Sequence, residues 1–217
     1  MANKGKHLIE NDYTPVTYDP QYILMVNHLK KYFPIKGGLM SQTVGHVKAV
    51  DGVTFNLKRG HTMGLVGESG CGKSTIAGIL AAKNRGYTGR ITLGGVPLSE
   101  VAETDLMKHV VLVRHNSYLF KGTVEENLRM AKPDATKEEM EAVLQKVNLL
   151  GFLQTQNGLQ TGLLEKAGNL SGGQCQRLVI ARALLRSDSA VYIFDEAASN
   201  IDCLLYTSPS PRDISGS

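Results

Sequence analysis

The stretch Gly67-Glu68-Ser69-Gly70-Cys71-Gly72-Lys73-Ser74 has the spacing G-x-x-x-x-G-K-S, which is typical of a loop that binds phosphate groups. Glycines let backbone N–H groups approach a phosphate closely, because a Cβ at those positions would hold the anion away. A helix that begins at Lys73 would present its positive dipole end to the same anion. We therefore expect Lys73 to contact the β- and γ-phosphates of a nucleotide and the Ser74 hydroxyl to bind Mg²⁺.

The residues on either side of this loop predict an α/β fold. Residues 62–66 are apolar, and we expect them to form a short strand that leads into the loop. Upstream, residues 22–57 have strand-like patterning that is interrupted by a pair of glycines. Downstream, residues 90–96 predict a hairpin that turns at two glycines, and residues 110–113 predict a second buried strand.

Asp195 and Glu196 follow the four apolar residues 191–194, and this pattern predicts a buried strand that ends in two carboxylates. Carboxylate oxygens suit Mg²⁺, so Asp195 is a candidate metal-binding residue. Glu196 is the candidate general base, which would polarise the water that attacks the γ-phosphate. Adjacent carboxylates can also be ordinary surface charge, but a position after a buried strand and downstream of the phosphate loop favours a site.

The segment Leu170-Ser171-Gly172-Gly173-Gln174 predicts another helix N-terminus with glycines. Ser171 and Gln174 have the spacing of a capping box, and such a helix end attracts anions. We expect the helix to run to about residue 185. Three of its residues are expected to pack rather than to act in a site: Leu178, Ala181 and Leu185.

The region between these motifs predicts helices. Thr136 and Glu139 form another capping-box pattern, and apolar residues follow at helical spacing: Met140, Val143, Leu144 and Val147. We interpret residues 125–160 as the start of a helical subdomain that is inserted into the nucleotide-binding core and extends over about residues 125–185.

The composition indicates one domain without a membrane span of its own. The chain has 217 residues and a formal net charge of +4, which is too small to indicate nucleic acid as the main partner. No apolar run approaches the roughly 20 residues of a membrane-spanning helix, so we expect any membrane association to come from a partner chain. The three cysteines, Cys71, Cys175 and Cys203, are scattered and fit free thiols in a reducing cytoplasm.

Taken together in this order, the phosphate loop, the Leu170–Gln174 segment and the Asp195-Glu196 strand resemble the ATPase domain of the ATP-binding cassette (ABC) family over about residues 21–202. The resemblance implies a P-loop NTPase α/β core with an N-terminal antiparallel β subdomain and an inserted helical subdomain. It also implies Mg²⁺-dependent ATP hydrolysis that powers transport. It assigns ATP binding to the following residues: Tyr32, Gly67, Glu68, Ser69, Gly70, Cys71, Gly72, Lys73, Ser74 and Thr75.

The resemblance also implies a head-to-tail dimer of two ATPase subunits. In the family, the segment matched by Leu170, Ser171, Gly172, Gly173 and Gln174 closes over the ATP that the second subunit holds. The loop that crosses this interface is matched by Ser199, Asn200, Ile201 and Asp202.

Two further positions follow from the resemblance. Tyr32 matches the aromatic residue that stacks on adenine, with Phe33 as the second choice; packing in the core is the alternative for either ring. The family carries a glutamine that senses Mg²⁺ and contacts the membrane part, and His115 stands at that position here.

A transmembrane permease is the expected partner, at the cytoplasmic face of a bacterial cell membrane. Residues 30–38 and 47–53 resemble ATPases of oligopeptide or dipeptide importers, which suggests a peptide or related small solute. Residues 120–128, together with Glu165, instead resemble exporters. We suspect a chimera joined near residues 70–85, the alternative being one unusual natural protein, and the sequence leaves substrate and direction open.

The two ends of the chain depart from the pattern. Residues 1–20 read as a flexible arm, and residues 203–217 resemble translated adapter sequence. The family's switch histidine and one central strand would follow residue 202, so an inactive truncated fragment is one alternative to a working ATPase. The other is a soluble ABC ATPase that acts on DNA or the ribosome, which the single cassette and the short spacing between its motifs disfavour.

Overall fold

A computed structural model describes residues 18–37, 42–114, 117–186 and 189–195. The chain divides into two units, Met1–Met107 and Lys108–Ser217. The predicted tail at residues 203–217 and most of the predicted arm lie outside the described residues. No helix in the described ranges is long and apolar enough to cross a membrane.

The first unit contains a four-stranded antiparallel sheet in the order β2-β1-β3-β4. Its strands are β1 (Tyr22–Gly37), β2 (Gln42–Lys58), β3 (Thr88–Leu93) and β4 (Val96–Pro97). The first residues of β1 are buried because this part of the strand is paired on both edges. The strands predicted within residues 22–57 and the hairpin at residues 90–96 are confirmed. The two glycines of that hairpin have positive φ, as a two-residue turn between antiparallel strands requires.

Beyond Lys30, β1 and β2 continue as a two-stranded ribbon. The last pair between β1 and β3 joins Lys30 to Thr88, whereas the pairing with β2 runs on to Gly37. This ribbon exposes several large apolar side chains: Phe33, Ile35, Val44 and Val47.

The strand predicted at residues 62–66 is not present, and the prediction was wrong. Residues 61–68 have no regular secondary structure, and the side chain of Val66 is 95% exposed. The physical reason is that a strand needs a neighbour to complete its backbone hydrogen bonds. No described strand pairs with these residues, so their apolar composition alone does not order them.

Two helices complete the first unit. Helix α1 (Lys73–Leu80) begins at the predicted residue, and its last five residues are buried. Helix α2 (Glu103–His109) follows β4 and ends just after the boundary of the first unit.

The second unit combines a parallel strand pair with four helices among its described residues. The strands are β5 (Val110–Arg114), β6 (Gly122–Thr123), β7 (Gly162–Leu163) and β8 (Val191–Asp195). The helices are α3 (Val124–Arg129), α4 (Lys137–Lys146), α5 (Leu150–Gln154) and α6 (Gly172–Leu184). Short 3₁₀ turns at Gly158–Gln160 and Glu165–Ala167 lie between α5 and α6.

Helices α4 and α6 begin at the predicted capping boxes. In α4, Thr136 accepts from the Glu139 N–H and the Glu139 carboxylate accepts from the Thr136 N–H. Seven apolar residues that were predicted to pack on these helices are all buried in one core: Met140, Val143, Leu144, Val147, Leu178, Ala181 and Leu185. Full burial of a large apolar side chain contributes about 1.5–3 kcal/mol, so this core is the main stabilising feature of the unit.

β5 and β8 form a parallel pair in which Arg114 is opposite Asp195. The prediction for β5 is confirmed, because Val110, Val111 and Val113 are buried. The prediction of full burial is wrong for β8, since Phe194 is 43% exposed. Within the described residues β8 has a strand on one edge alone, which leaves its last apolar residues partly uncovered.

Candidate functional site

The predicted phosphate-binding loop is an exposed turn that leads directly into α1. Gly70 and Gly72 have φ values of 82° and 91°, which L-residues with a Cβ rarely adopt. The Cys71 N–H donates to the Glu68 carbonyl at 3.2 Å and closes the turn. The N-cap residue Gly72 has no side chain to cap α1, and the first turn contains no acidic residue, so no carboxylate of that turn meets its positive end.

The Lys73 side chain lies across this turn. Its ammonium group donates to the Glu68 carbonyl at 2.8 Å and to the Gly67 carbonyl. The Cys71 sulfur is 3.5 Å from the same nitrogen. The cation therefore stands within the turn, directly before the first turn of α1.

Two of the glycines lie close to other atoms, and Gly72 is the one that meets backbone. A Cβ on Gly67 would collide with the Cys71 sulfur, and a Cβ on Gly72 would collide with the Ala49 carbonyl oxygen of β2. The start of α1 thus lies close to the backbone of β2.

Tyr32 and Phe33 lie on opposite faces of the ribbon. The Tyr32 hydroxyl donates to Asp51, and the Lys48 ammonium lies 5.5 Å from the Tyr32 ring centroid while it pairs with Asp51 at 3.2 Å. These contacts hold the pKa of the Asp51 carboxyl below its usual value, the hydrogen bond from Tyr32 being the main cause, and they raise the pKa of Tyr32. Phe33 lies beside Lys31 instead, with the ammonium 5.0 Å from the ring centroid.

The Phe33 face is the one that meets the phosphate loop. Lys31 is opposite Val50 in the ladder, and cross-strand partners project to the same face. A Cβ on Gly72 would lie 3.4 Å from the Val50 side chain. Neither aromatic ring packs in the core, because Tyr32 is half-buried and Phe33 is 39% exposed.

The Leu170–Gln174 segment forms the cap of α6. Ser171 accepts from the Gln174 N–H at 3.3 Å, and the Gln174 side chain accepts from the Ser171 N–H at 2.8 Å. Gly172 and Gly173 are the first two residues of the helix. The Asn169 side chain stabilises the preceding loop, because it accepts from the Leu164 N–H and donates to the Gly162 carbonyl, both at 2.9 Å.

Asp195 ends β8 beside Arg114. The Arg114 Nε lies 4.0 Å from an Asp195 carboxylate oxygen, and the Asp195 side chain is only 12% exposed. Arg114 Nε is buried and has no hydrogen-bond partner among the described residues. No role for Arg114 was predicted from the sequence. Its position at the end of a predicted buried strand, directly before His115, could have indicated that it lies near the site.

Several predicted site residues lie outside the described ranges. These are Glu196, His115 and the predicted interface loop Ser199, Asn200, Ile201 and Asp202. Their roles stay predictions.

Comparison with known proteins identifies the family. The family model described as "ABC transporter" matches residues 50–199. An uncharacterised ABC transporter ATP-binding protein of Haemophilus influenzae is 46% identical over 154 residues, which cover 71% of this chain and 27% of that protein. An ATP-dependent lipid A-core flippase of Chromobacterium violaceum is 38% identical over 155 residues, covering 71% of this chain and 26% of the flippase.

A solved structure gives the same result. A bacterial Atm1-family ABC exporter with ATP bound superposes with a TM-score of 0.72 at 26% identity, covering 88% of this chain and 32% of the exporter chain. The present chain spans about a quarter of the length of the curated relatives above. The predicted fold class, an α/β P-loop NTPase core of the ABC type, is confirmed, and this chain belongs to the ABC transporter ATPase family.

Proposed function

We propose that this chain binds ATP and Mg²⁺ at residues 67–75 and hydrolyses ATP to drive transport of a solute through a membrane permease. The observation that carries the proposal is the Lys73 ammonium inside the turn, at the start of a helix whose N-cap residue Gly72 has no side chain and whose first turn has no acidic residue. Backbone N–H groups, a cation and a helix N-terminus together suit the phosphates of a nucleotide.

The remaining site residues have the chemistry that Mg²⁺ and water activation need. The Ser74 hydroxyl and the Asp195 carboxylate are hard oxygen donors of the kind that hold Mg²⁺, which would neutralise phosphate charge when bound. Glu196 would accept a proton from the attacking water. His115 stays a candidate for the same metal site.

A second ATPase subunit would complete the site. Ser171, Gly172 and Gly173 present a helix end that can receive the γ-phosphate held by the partner subunit. Leu170 and Gln174 support this end by packing and capping, and residues 199–202 would lie at the same interface.

The permease would dock at a cavity of about 290 Å³ in the second unit. Phe120 and Met130 at this cavity are 47% and 54% exposed, and Arg182 and Arg186 also line it. Burial lowers the pKa of Arg182, whose guanidinium donates to the Tyr118 carbonyl at 2.8 Å. Apolar surface with half-buried arginine suits a short amphipathic segment of a membrane-spanning partner.

The location would be the cytoplasmic face of a bacterial membrane. The names of two relatives favour export over import: the lipid A-core flippase, and a β-(1→2)glucan export ATP-binding/permease protein of Bradyrhizobium diazoefficiens that is 38% identical over 160 residues. A peptide solute has support only from residues 30–38 and 47–53, so we leave the solute unnamed.

The test is nucleotide binding by Lys73→Ala. Fluorescence titration with an ATP analogue should show affinity weakened by roughly 10- to 100-fold, because a hydrogen bond to a charged group contributes about 1.5–3 kcal/mol. Lys83→Ala, at the other end of α1, is the control and should bind normally. Equal affinity in Lys73→Ala and the unmodified chain would contradict the phosphate-loop assignment.

A further inference from the structure

We infer that Lys31 is a positioning residue that sets the distance between an aromatic base platform, Phe33, and the phosphate-binding loop. The inference rests on the proposed nucleotide site and adds to it a residue that touches neither phosphate nor metal. The same geometry selects Phe33 over Tyr32 as the ring that meets the base.

Lys31 joins three parts of the first unit. Its ammonium donates to the Arg85 carbonyl at 2.5 Å and to the Gly86 carbonyl at 3.1 Å. The same ammonium lies 5.0 Å from the Phe33 ring centroid. One cation therefore binds the segment after α1 and one face of the aromatic ring at once.

The segment after α1 is in turn fixed to the first turn of that helix. The Asn84 side chain donates to the Thr75 carbonyl at 3.3 Å, and the Asn84 N–H donates to the Gly78 carbonyl at 3.0 Å. Thr75 directly follows Ser74. The contacts of the Phe33 ring thus lead through Lys31 to the Arg85 carbonyl. From Asn84, the chain neighbour of Arg85, they continue to Thr75, the residue beside the proposed metal ligand.

Tyr32 is excluded from this face by its own contacts. Its hydroxyl and one side of its ring are engaged by Asp51 and Lys48, on the face opposite Lys31. Successive residues of a strand point to opposite faces, so Phe33 projects with Lys31 toward the face that carries Gly72.

The two-stranded ribbon is expected to depend on the Lys31 contacts for a fixed position. Beyond Lys30 no third strand among the described residues supports it, and an isolated pair of strands is only marginally stable in water. Without the Lys31 contacts the ring would sample many positions relative to the loop, and base stacking would have to restrict them again.

The experiment compares ATP with inorganic tripolyphosphate, which has the phosphates but no base. Both are titrated as competitors of a fluorescent ATP analogue in the full chain. We expect Lys31→Met to weaken ATP about 2- to 5-fold, the range of an exposed cation–π contact, and to leave tripolyphosphate unchanged. Phe33→Ala should weaken ATP about 5- to 100-fold, as expected for loss of one stacked base, and the double variant should match Phe33→Ala alone.

Matched variants distinguish a positioning effect of Lys31 on ATP affinity from a general effect of lost positive charge or of misfolding. Lys36→Met removes another ribbon lysine and should leave both affinities unchanged, and Lys31→Arg should restore ATP affinity. Unchanged ATP affinity in Lys31→Met, or an equal loss for tripolyphosphate, would overturn the inference while leaving the phosphate site intact. If Lys31→Met does not fold, Phe33→Tyr and Phe33→Ala decide: equal ATP affinity in the two overturns it. An unmodified chain that binds neither competitor overturns the proposed function as well.

Discussion

Replacement of Asn127 by alanine is expected to destabilise the second unit strongly. Asn127 is fully buried, and its side chain makes three hydrogen bonds to the backbone. Its oxygen accepts from the Phe120 N–H at 2.9 Å, and its nitrogen donates to the carbonyls of Phe120 at 2.9 Å and Thr123 at 3.0 Å. This one side chain therefore links helix α3 to the loop before it, which contains Phe120 and lines the cavity.

The size of the effect follows from these contacts. Alanine leaves one N–H and two carbonyls without their partner, and each net hydrogen bond contributes about 1 kcal/mol, so the free energy of unfolding should fall by about 3 kcal/mol. For a chain of this length, that corresponds to a decrease in Tm of about 6–12 °C. Asn127→Asp should be at least as damaging, because it retains the acceptor for the Phe120 N–H but places an acceptor against the two carbonyls.

The assay is urea unfolding followed by far-ultraviolet circular dichroism. Asn157→Ala is the matched control, since Asn157 is exposed, and its free energy of unfolding should stay within about 0.5 kcal/mol of the unmodified chain. A similarly small change in Asn127→Ala would refute the reasoning, because it would mean that the three hydrogen bonds contribute no net stability.

Three other results are expected. Gly72→Ala should abolish binding of an ATP analogue, because at a positive φ its Cβ collides with the Ala49 carbonyl of β2. Gly64→Ala, whose Cβ would have nothing within 4 Å, should bind normally, and equal binding by the two variants would contradict the phosphate-loop assignment. Glu196→Gln should retain ATP binding and lose turnover by roughly 10²- to 10⁴-fold in a phosphate-release assay, and near-normal turnover would exclude it as the base. The hydrogen bond from Lys132 is the main cause that holds the pKa of Glu139 below its usual 4.5, so its stabilisation is present above that pH and is lost as the pH falls through the lowered value. When the free energy of unfolding is measured against pH, Glu139→Gln should therefore lose less stability on acidification than the unmodified chain. An equal loss in both would show that the contact with Lys132 is not stabilising.

The features that the sequence predicted well depend on neighbours in the chain. Thr136 and Ser171 cap their helices through residues three positions later, so the signal is complete within one turn. The same holds for Gly70 and Gly72, whose positive φ is a property of the loop itself.

The features that it predicted poorly depend on distant partners. Residues 62–66 have the composition of a strand but no described strand beside them. The choice between Tyr32 and Phe33 depends on a register shift between Lys31 and Tyr32, which changes the side-chain face of the residues opposite them. Asn127 looks like an ordinary polar residue of an amphipathic helix, and only the fold of the loop before it reveals three buried hydrogen bonds.

The cap of α6 has a consequence for which atom of Ser171 can reach a neighbouring molecule. The cap uses a lone pair of the hydroxyl oxygen, which accepts from the Gln174 N–H, and it does not use the hydroxyl proton. That proton remains available for donation to an oxyanion. Aspartate caps helices about as well as serine, but it has no proton to give at neutral pH and would repel a phosphate. In the proposed dimer, serine is therefore preferred at this position because it can cap its own helix and donate to the partner's nucleotide at the same time.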